Sequence, residues 1–378
     1  MKKIKSNRWI RPIIFVLSLV LFACGGDDDW TVPSNNTGGS TSGGFWDDNY
    51  SWGVPNIYNY PTPEEFDFSE LASGMLLFRY YGEGNGAGGE VLVDIKNKTY
   101  KQVSFTPSAA KFRISPDSQF IAYYTSGFFY DKFWEGIYVG SVGEQNSIRV
   151  SSGNENSFNP SWSSDGSKIF FWSSVDGNPY DYTLCSVNKN GTDLSKLTHE
   201  KIDLKFSNTS ESPSGLLTFS TNQTSVKIPN AGIFLLDPKK GSLERIIPKG
   251  QGSFLESPVF SPDGSKIAYL SVTRSDSKYS YMDIMVWNLS SKTKSKIIGL
   301  KASGSVKFDY LNNADPTPNL VWSPEGDRIL FSVPEGNPLL VPEKPVWNFY
   351  VVNNDGTNLK KVTNPSRQIE QYDLSWGR

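Results

Sequence analysis

The 378-residue sequence predicts an all-β fold, a six-bladed β-propeller with four antiparallel strands per blade, on three observations. A turn phrase of the Ser-Pro-Asp-Gly type recurs about every 45–60 residues, a spacing typical of blade arrays. Each copy runs into an apolar strand and then a hairpin. The last seven residues, "YDLSWGR", supply the one strand that the first blade lacks. Composition agrees: 14% aromatic and only 20% charged residues, with 33 glycines and 23 prolines, describe a β-rich globule better than a helical or disordered chain.

Taken in order, residues 1–23 read as a secretory signal outside that fold. Lys2, Lys3, Lys5, Arg8 and Arg11 precede the 11-residue apolar run "IIFVLSLVLFA", too short to span a bilayer, which takes about 20 residues. The following "LFAC" resembles the lipobox of bacterial lipoproteins, which implies lipidation of Cys24 and a membrane attachment through an N-terminal lipid. "GGDDD" (25–29) resembles the export signal of some Bacteroidetes lipoproteins, which implies an outer-membrane lipoprotein exposed at the cell surface or facing the periplasm. Residues 24–44 are a Gly/Ser/Thr-rich tether of the flexible kind. Residues 45–72, rich in aromatics and acids, are expected to lie against the domain that follows, residues 73–378.

Loss of residues 1–23 removes five of the 37 basic residues and no acid, leaving 32 against 39, a net charge of −7. No basic stripe remains for a phosphate backbone, so nucleic acid is not an expected partner. With Cys24 committed to lipid, Cys185 has no internal disulfide mate and is expected to be a small buried residue on a strand.

Within the propeller the second strands of the blades read "GMLLFRYY" (74), "SQFIAYYTS" (118), "SKIFFWSS" (167), "GLLTFST" (215), "SKIAYLS" (265) and "DRILFSV" (327). A hairpin follows each, from "LVDIKNKTYKQVS" (92) to "FYVVNNDGTNLKKVT" (349). First strands precede the turn: "KFRIS" (111), "NPSWS" (159), a degenerate "KFSNTSES" (205), "SPVFS" (257) and "NLVWS" (319). The sixth first strand is the C-terminal one, whose Trp376 matches Trp162 and Trp322. It completes the N-terminal blade and closes the ring, which removes exposed sheet edges.

The phrase recurs because every blade needs the same reversal. Pro262 presets φ for the second turn position, Asp263 bonds back to the backbone, and Gly264 takes a positive φ. Asp117, Asp165 and Glu325 hold equivalent turn positions, so these acids are structural rather than catalytic. The phrase with its strand and Asp-Gly-Thr hairpin resembles the TolB-like propeller repeat, a relative of WD-repeat blades, over residues 73–378. That resemblance implies an envelope protein that binds another protein or complex.

Connections between strands one and two and between three and four are tight and share one face of the disc. The other face takes nearly every insertion, and loops on a rigid scaffold are where binding usually resides. Those insertions bring Phe128, Phe129, Tyr130, Phe133, Trp134, Tyr180, Tyr279, Tyr281, Tyr310 and Trp347 to one rim. Such a rim suits a protein partner and also a glycan. Trp162, Trp322 and Trp376 instead read as packing between blades.

No catalytic constellation is expected. His199 is the single histidine, and no GxSxG elbow or HExxH pair exists. The GxGxxG from Gly84 to Gly89 lies between strands, with no helix to receive a phosphate. No cofactor or metal is called for. Asp131, Glu135, Asp176, Asp181 and Asp283 are read as loop carboxylates, the one route to glycosidase chemistry. The sequence thus favours a non-catalytic, lipid-anchored scaffold for protein binding, with surface glycan binding and a carboxylate-based carbohydrate-active enzyme as alternatives.

One outcome is immediate. Cells expressing the full chain should incorporate labelled fatty acid into it, and Cys24→Ala should abolish the label; incorporation into the variant would remove the lipid anchor.

Overall fold

The computed structural model describes residues 67–80, 89–103, 109–129, 132–144, 146–152, 156–174, 182–198, 208–221, 231–250, 253–274, 279–303, 319–335, 346–363 and 374–377. They belong to one compact unit, 56–378. Six four-stranded antiparallel sheets form a six-bladed propeller. Blade 1 holds β1 (Met75–Tyr80), β2 (Gly89–Asp94) and β3 (Thr99–Val103), with β24 (Leu374–Gly377) beside β1. Blade 2 is β4 (Ala109–Ile114), β5 (Phe120–Phe129), β6 (Lys132–Ser141) and β7 (Ser147–Arg149); blade 3 is β8 (Ser157–Trp162), β9 (Lys168–Ser173), β10 (Thr183–Asn188) and β11 (Ser195–Lys196). Blade 4 comprises β12 (Ser210–Glu211), β13 (Leu217–Thr221), β14 (Gly232–Asp237) and β15 (Ser242–Pro248). Blade 5 comprises β16 (Ser253–Phe260), β17 (Lys266–Arg274), β18 (Tyr279–Asn288) and β19 (Thr293–Ser303). Blade 6 comprises β20 (Leu320–Trp322), β21 (Arg328–Glu335), β22 (Val346–Asn353) and β23 (Lys360–Lys361).

The second strands explain why the blades form a ring. Successive side chains of a strand point to opposite faces, and here both faces are apolar in every blade but the fourth, where β13 carries Thr218 and Ser220 on one of them. On β1, Leu76 and Phe78 enter the seam with blade 6 while Leu77 enters the seam with blade 2. On β9, Ile169 and Phe171 face blade 2 and Phe170 and Trp172 face blade 4. On β17, Ala268, Leu270 and Val272 face blade 6 and Tyr269 faces blade 4. Among the described residues each of the six seams has one cluster of buried hydrophobic side chains. The cluster between blades 4 and 5 is the smallest, Ile233, Ile247, Leu255 and Tyr269.

Closure is made by β24 as the sequence predicts. Met75, Leu76, Leu77 and Phe78 pair with Gly377, Trp376, Ser375 and Leu374. Gly74 sits where the two ends meet, at φ +97°, and a Cβ there would collide with the Gly377 carbonyl oxygen and the Trp376 indole. The chain reaches this point along blade 6: Asp67 N–H donates to the Val362 carbonyl at 2.7 Å, and Leu71 is buried with Val351 and Val362. Between them a 3-10 turn, Phe68–Glu70, places the Glu70 carboxylate on Lys360 and on the Asn358 amide (3.2 Å), with Arg328 donating to the Glu70 carbonyl.

Leu76→Ala empties a fully buried seam position and should cost about 2–5 kcal/mol. Ile148→Ala, on the exposed edge strand β7, should change stability by less than about 0.5 kcal/mol. Chemical denaturation compares the two, and equal losses would mean that the seams do not carry the fold.

Candidate functional site

The recurring turns are built alike. Each opening serine donates its hydroxyl to the acid two residues on: Ser115 to Asp117 (2.5 Å), Ser163 to Asp165 (2.6 Å) and Ser261 to Asp263 (2.5 Å). The same hydroxyl accepts the N–H that starts the second strand, Phe120, Lys168 or Lys266. Gly264, at φ +72°, donates its N–H to the Ser261 carbonyl, and a Cβ there would press on Pro213 of the neighbouring blade. Hydrogen bonds from the Ser261 hydroxyl and from the Ser265 N–H and hydroxyl hold the Asp263 carboxyl down at about 2. Ser163 and Ser167 likewise lower Asp165. The other two turns substitute the parts. In blade 4 Ser212 and Ser214 bond through their hydroxyls, and in blade 6 Ser323 donates to Asp327, which frees Glu325 to accept from Ser73 across the closure.

These turns ring one end of a central cavity of about 450 Å³, walled by the first strands of all six blades. Pro116, Pro213, Pro262 and Pro324 stand at its mouth, with Phe260 and the three indoles of Trp162, Trp322 and Trp376. Two of the tryptophans bond to the preceding blade, and the third bonds to the segment that enters its own blade. Trp162 Nε1 donates to the Arg113 carbonyl of blade 2 (2.8 Å), and Trp322 Nε1 to the Val259 carbonyl of blade 5 (3.1 Å). Trp376 Nε1 donates to the Ser73 carbonyl (2.8 Å). Where a tryptophan is missing, a serine does the joining: Ser375 accepts the Ile114 N–H (3.1 Å) and Ser210 the Phe260 N–H (3.0 Å).

A set of polar residues in the wall escaped sequence reasoning. Strands β4, β8 and β16 each shift register, between Ala110 and Arg113, Phe158 and Ser161, and Glu256 and Val259. Lys111, Asn159 and Ser257 sit in these bulges with left-handed φ of 56°, 53° and 49°. A bulge re-aims the side chains around it, and Arg113, Ser161 and Ser257 line the cavity. Asn208 and Asn319 hold the corresponding place, four residues before the turn serine, and line it too. Residue type does not signal the bulge: of the asparagines at this place only Asn159 is left-handed, and the other two bulges carry Lys111 and Ser257. Arg113 reaches across the tunnel: its Nη1 donates to the Phe112 carbonyl (2.7 Å) and its Nη2 to Asn208 Oδ1 of blade 4 (3.3 Å). The cavity's two acids are engaged with turn donors. Glu211 accepts the Ser164 N–H (2.9 Å) and hydroxyl (3.1 Å), and Asp165 accepts from Ser163 and Ser167.

Of the ten rim aromatics expected from sequence, seven fall on described strands. Tyr130, Tyr180 and Tyr310 lie outside the described residues, as do Cys24, His199, Asp131, Asp176, Asp181 and Gly84. For others the backbone corrects the reading as loops. Phe128 pairs with Phe133 and Gly127 with Trp134 in an unbroken β5–β6 hairpin that also contains Phe129 and Glu135. Tyr279 and Tyr281 lie in β18 and Trp347 in β22. Strand pairing continues because these residues are β-formers on both sides of the hairpin. Asp283 is likewise in β18, paired with Ser271 and Gly299, and its carboxylate meets Lys296 Nζ at 2.8 Å. Cys185 is buried on β10. Among the described residues no group of three or more His, Cys, Asp or Glu could hold a metal ion.

No family profile and no curated protein matches the sequence. Solved structures do. TolB from Acinetobacter baumannii superposes with a TM-score of 0.58 at 17% identity over 80% of this chain, which spans 66% of that protein. A putative TolB from Agrobacterium tumefaciens gives 0.51 at 15% identity over 81% of this chain and all of the other. An oligogalacturonate lyase in complex with manganese gives 0.50 at 13% identity over 80% of each. The likeness is one of fold, a TolB-like six-bladed propeller.

One carboxyl next to this wall behaves unlike the turn acids. Glu256, on β16 beside the bulge, is pushed up to about 8 by burial, although Lys249 pulls the other way. Lys249 itself is lowered by burial and lies 4.4 Å over the Phe254 ring. The folded carboxyl therefore holds its proton where the unfolded one has lost it. Stability should fall as pH rises from about 4.5 towards about 8 and then level off. Glu256→Gln should flatten that slope and raise the melting temperature at pH 8 relative to wild type; an unchanged pH profile would show that Glu256 does not titrate in this way.

Proposed function

We propose that this chain is a non-catalytic envelope lipoprotein, anchored through Cys24, that holds a protein partner at the turn-lined mouth of its propeller. The observation that carries this reading is the chemistry of the cavity wall. Indole, proline and hydroxyl groups suit the centre of a protein interface, where tryptophan and arginine dominate binding energy. The wall's carboxylates, Asp165 and Glu211, already accept turn donors, so neither is poised for acid–base work. The TolB-like fold of the two TolB neighbours supports a scaffold role and an envelope location.

Glycan capture by the opposite face is the second reading. The hairpin that places Phe128 opposite Phe133 and Gly127 opposite Trp134 concentrates aromatics there, and a carbohydrate-active neighbour has the same fold. A carboxylate-based enzyme is the third.

Full-length protein, immobilised, is offered an envelope extract and a polysaccharide panel beside two variants. Val259→Lys puts a charge into the mouth, and the triple variant Phe129→Ala, Tyr130→Ala, Trp134→Ala strips the opposite face. Retention of one protein by wild type, at least tenfold reduced in Val259→Lys and unchanged in the triple variant, is the expected result. Loss in the triple variant alone moves the site to the other face, and retention of a glycan in place of a protein overturns the assignment.

A further inference from the structure

Arg113 is, among the described residues lining the cavity, the one cationic side chain. It leaves blade 2, passes blade 3 in the ring order and ends on Asn208 of blade 4, so the guanidinium lies across the tunnel rather than along its wall. The contact it makes there is long, 3.3 Å to a neutral amide oxygen. Donation from Nη1 to the Phe112 carbonyl at 2.7 Å steadies the side chain from its own strand. The Arg113 carbonyl is held in turn by the Trp162 indole at 2.8 Å, which fixes the bulged backbone from which the side chain departs.

We propose that Arg113 is a specificity-determining residue that reads a single carboxylate, presented at the tip of an extended protein segment entering through the proline- and tryptophan-lined mouth. This rests on the protein-binding reading above and names the group recognised. An incoming carboxylate exchanges the long amide contact for a charge-assisted, forked one of about 2.7–2.9 Å, which guanidinium geometry favours. Charge selects a monoanion. One arginine faces the cavity together with Asp165, whose carboxyl the Ser163 and Ser167 hydrogen bonds hold below its usual range, and Glu211, which accepts from Ser164; the second charge of a phosphate-like dianion would add repulsion from these side chains. Size agrees, since about 450 Å³ lies within the roughly 300–1,000 Å³ of small-ligand clefts and admits only a segment tip. Behind that tip Phe260, Trp322 and the turn prolines offer apolar walls to its side chains.

The test uses full-length protein in detergent and three fluorescein-labelled pentapeptides read by anisotropy. The first, Gly-Ser-Phe-Ala-Leu, ends in a free carboxylate, the second is its C-terminal amide, and the third is an amide with aspartate replacing leucine. The free carboxylate should bind at least tenfold more tightly than its amide. Equal binding of the aspartate peptide would assign the carboxylate to a side chain, its failure to a chain terminus, and both support the proposal. Arg113→Met should erase the difference between acid and amide, and Arg113→Lys, which keeps the charge and loses the fork, should retain about threefold. Asn208→Ala, which removes the amide oxygen that Arg113 meets, should keep the preference. The proposal is overturned if acid and amide bind alike, if none of the peptides binds, or if a cooperatively melting Arg113→Met retains the preference. That last result, with a lowered melting temperature, would make Arg113 a structural strut. Partner capture that is still lost in Val259→Lys would then leave the scaffold reading standing without it.

Discussion

In five of the six blades the second strand is apolar on both faces, and that constraint decides the architecture. A sheet with one apolar face can be satisfied by a single partner layer, but a sheet with two needs a neighbour on each side. A row of such sheets has two unsatisfied ends unless it closes on itself. Closure falls on one short strand, Leu374–Gly377, whose four pairings with Met75–Phe78 bring the end of the chain back to its first blade. Leu374 joins the same buried cluster as Leu76 and Phe78, so the bonding and the burial coincide. Around it the Glu70 carboxylate, Ser73 and Glu325 tie the approach segment to blade 6.

Apolar burial supplies attraction between blades without fixing their angle, and the directional part comes from single hydrogen bonds near the tunnel. The donor alternates between an indole N–H aimed at a carbonyl and a backbone N–H aimed at a serine hydroxyl. Both types link first strands, so the tunnel wall is also the hinge line of the ring. Burial without such partners is costly, which gives the serines and tryptophans of the first strands a structural task and a cavity-lining one at once. The seam between blades 4 and 5 departs from this pattern of apolar filling. Blade 4 offers Thr218 and Ser220 on β13 where other second strands carry larger apolar groups, and Glu256 is buried on the neighbouring β16.

Much of this was readable before any coordinates. The strand triplets, the turn phrase and the stray C-terminal strand define blade number and closure, because each depends on local residue types at regular spacing. The turn aspartates were legible for the same reason: Ser, Asp and Gly at fixed offsets admit one hydrogen-bonding pattern. The cavity chemistry was not. Whether Arg113 faces the tunnel or a neighbouring blade depends on one extra residue in β4, and a one-residue slip reverses every side chain after it. No composition or period records that slip, and the residue in the bulge differs each time, Lys111, Asn159 and Ser257. The rim aromatics failed differently. Lengths of 10 residues for β5, β6 and β18 exceed the six of β1 or β9, and sequence gave no point at which the pairing should stop. Asp283, read as a loop acid, is for that reason a paired strand residue bonded to Lys296.

The two faces of the disc consequently differ in kind. At the turn end, five tight reversals surround a cavity whose indoles and turn acids are held by hydrogen bonds to backbone and to neighbouring turns. Such a wall is preorganised, and recognition there costs little ordering of the protein itself. At the other end, blades 2 and 5, which lie opposite each other in a six-membered ring, carry the longest hairpins. A partner bound at the first face is therefore selected by the fit of a narrow tip to fixed groups, whereas one bound at the second would have to span two separate projections. A rigid mouth with a single transverse arginine discriminates by chemistry at one point, and that is the kind of selectivity a symmetric scaffold can offer without breaking the repeat that builds it.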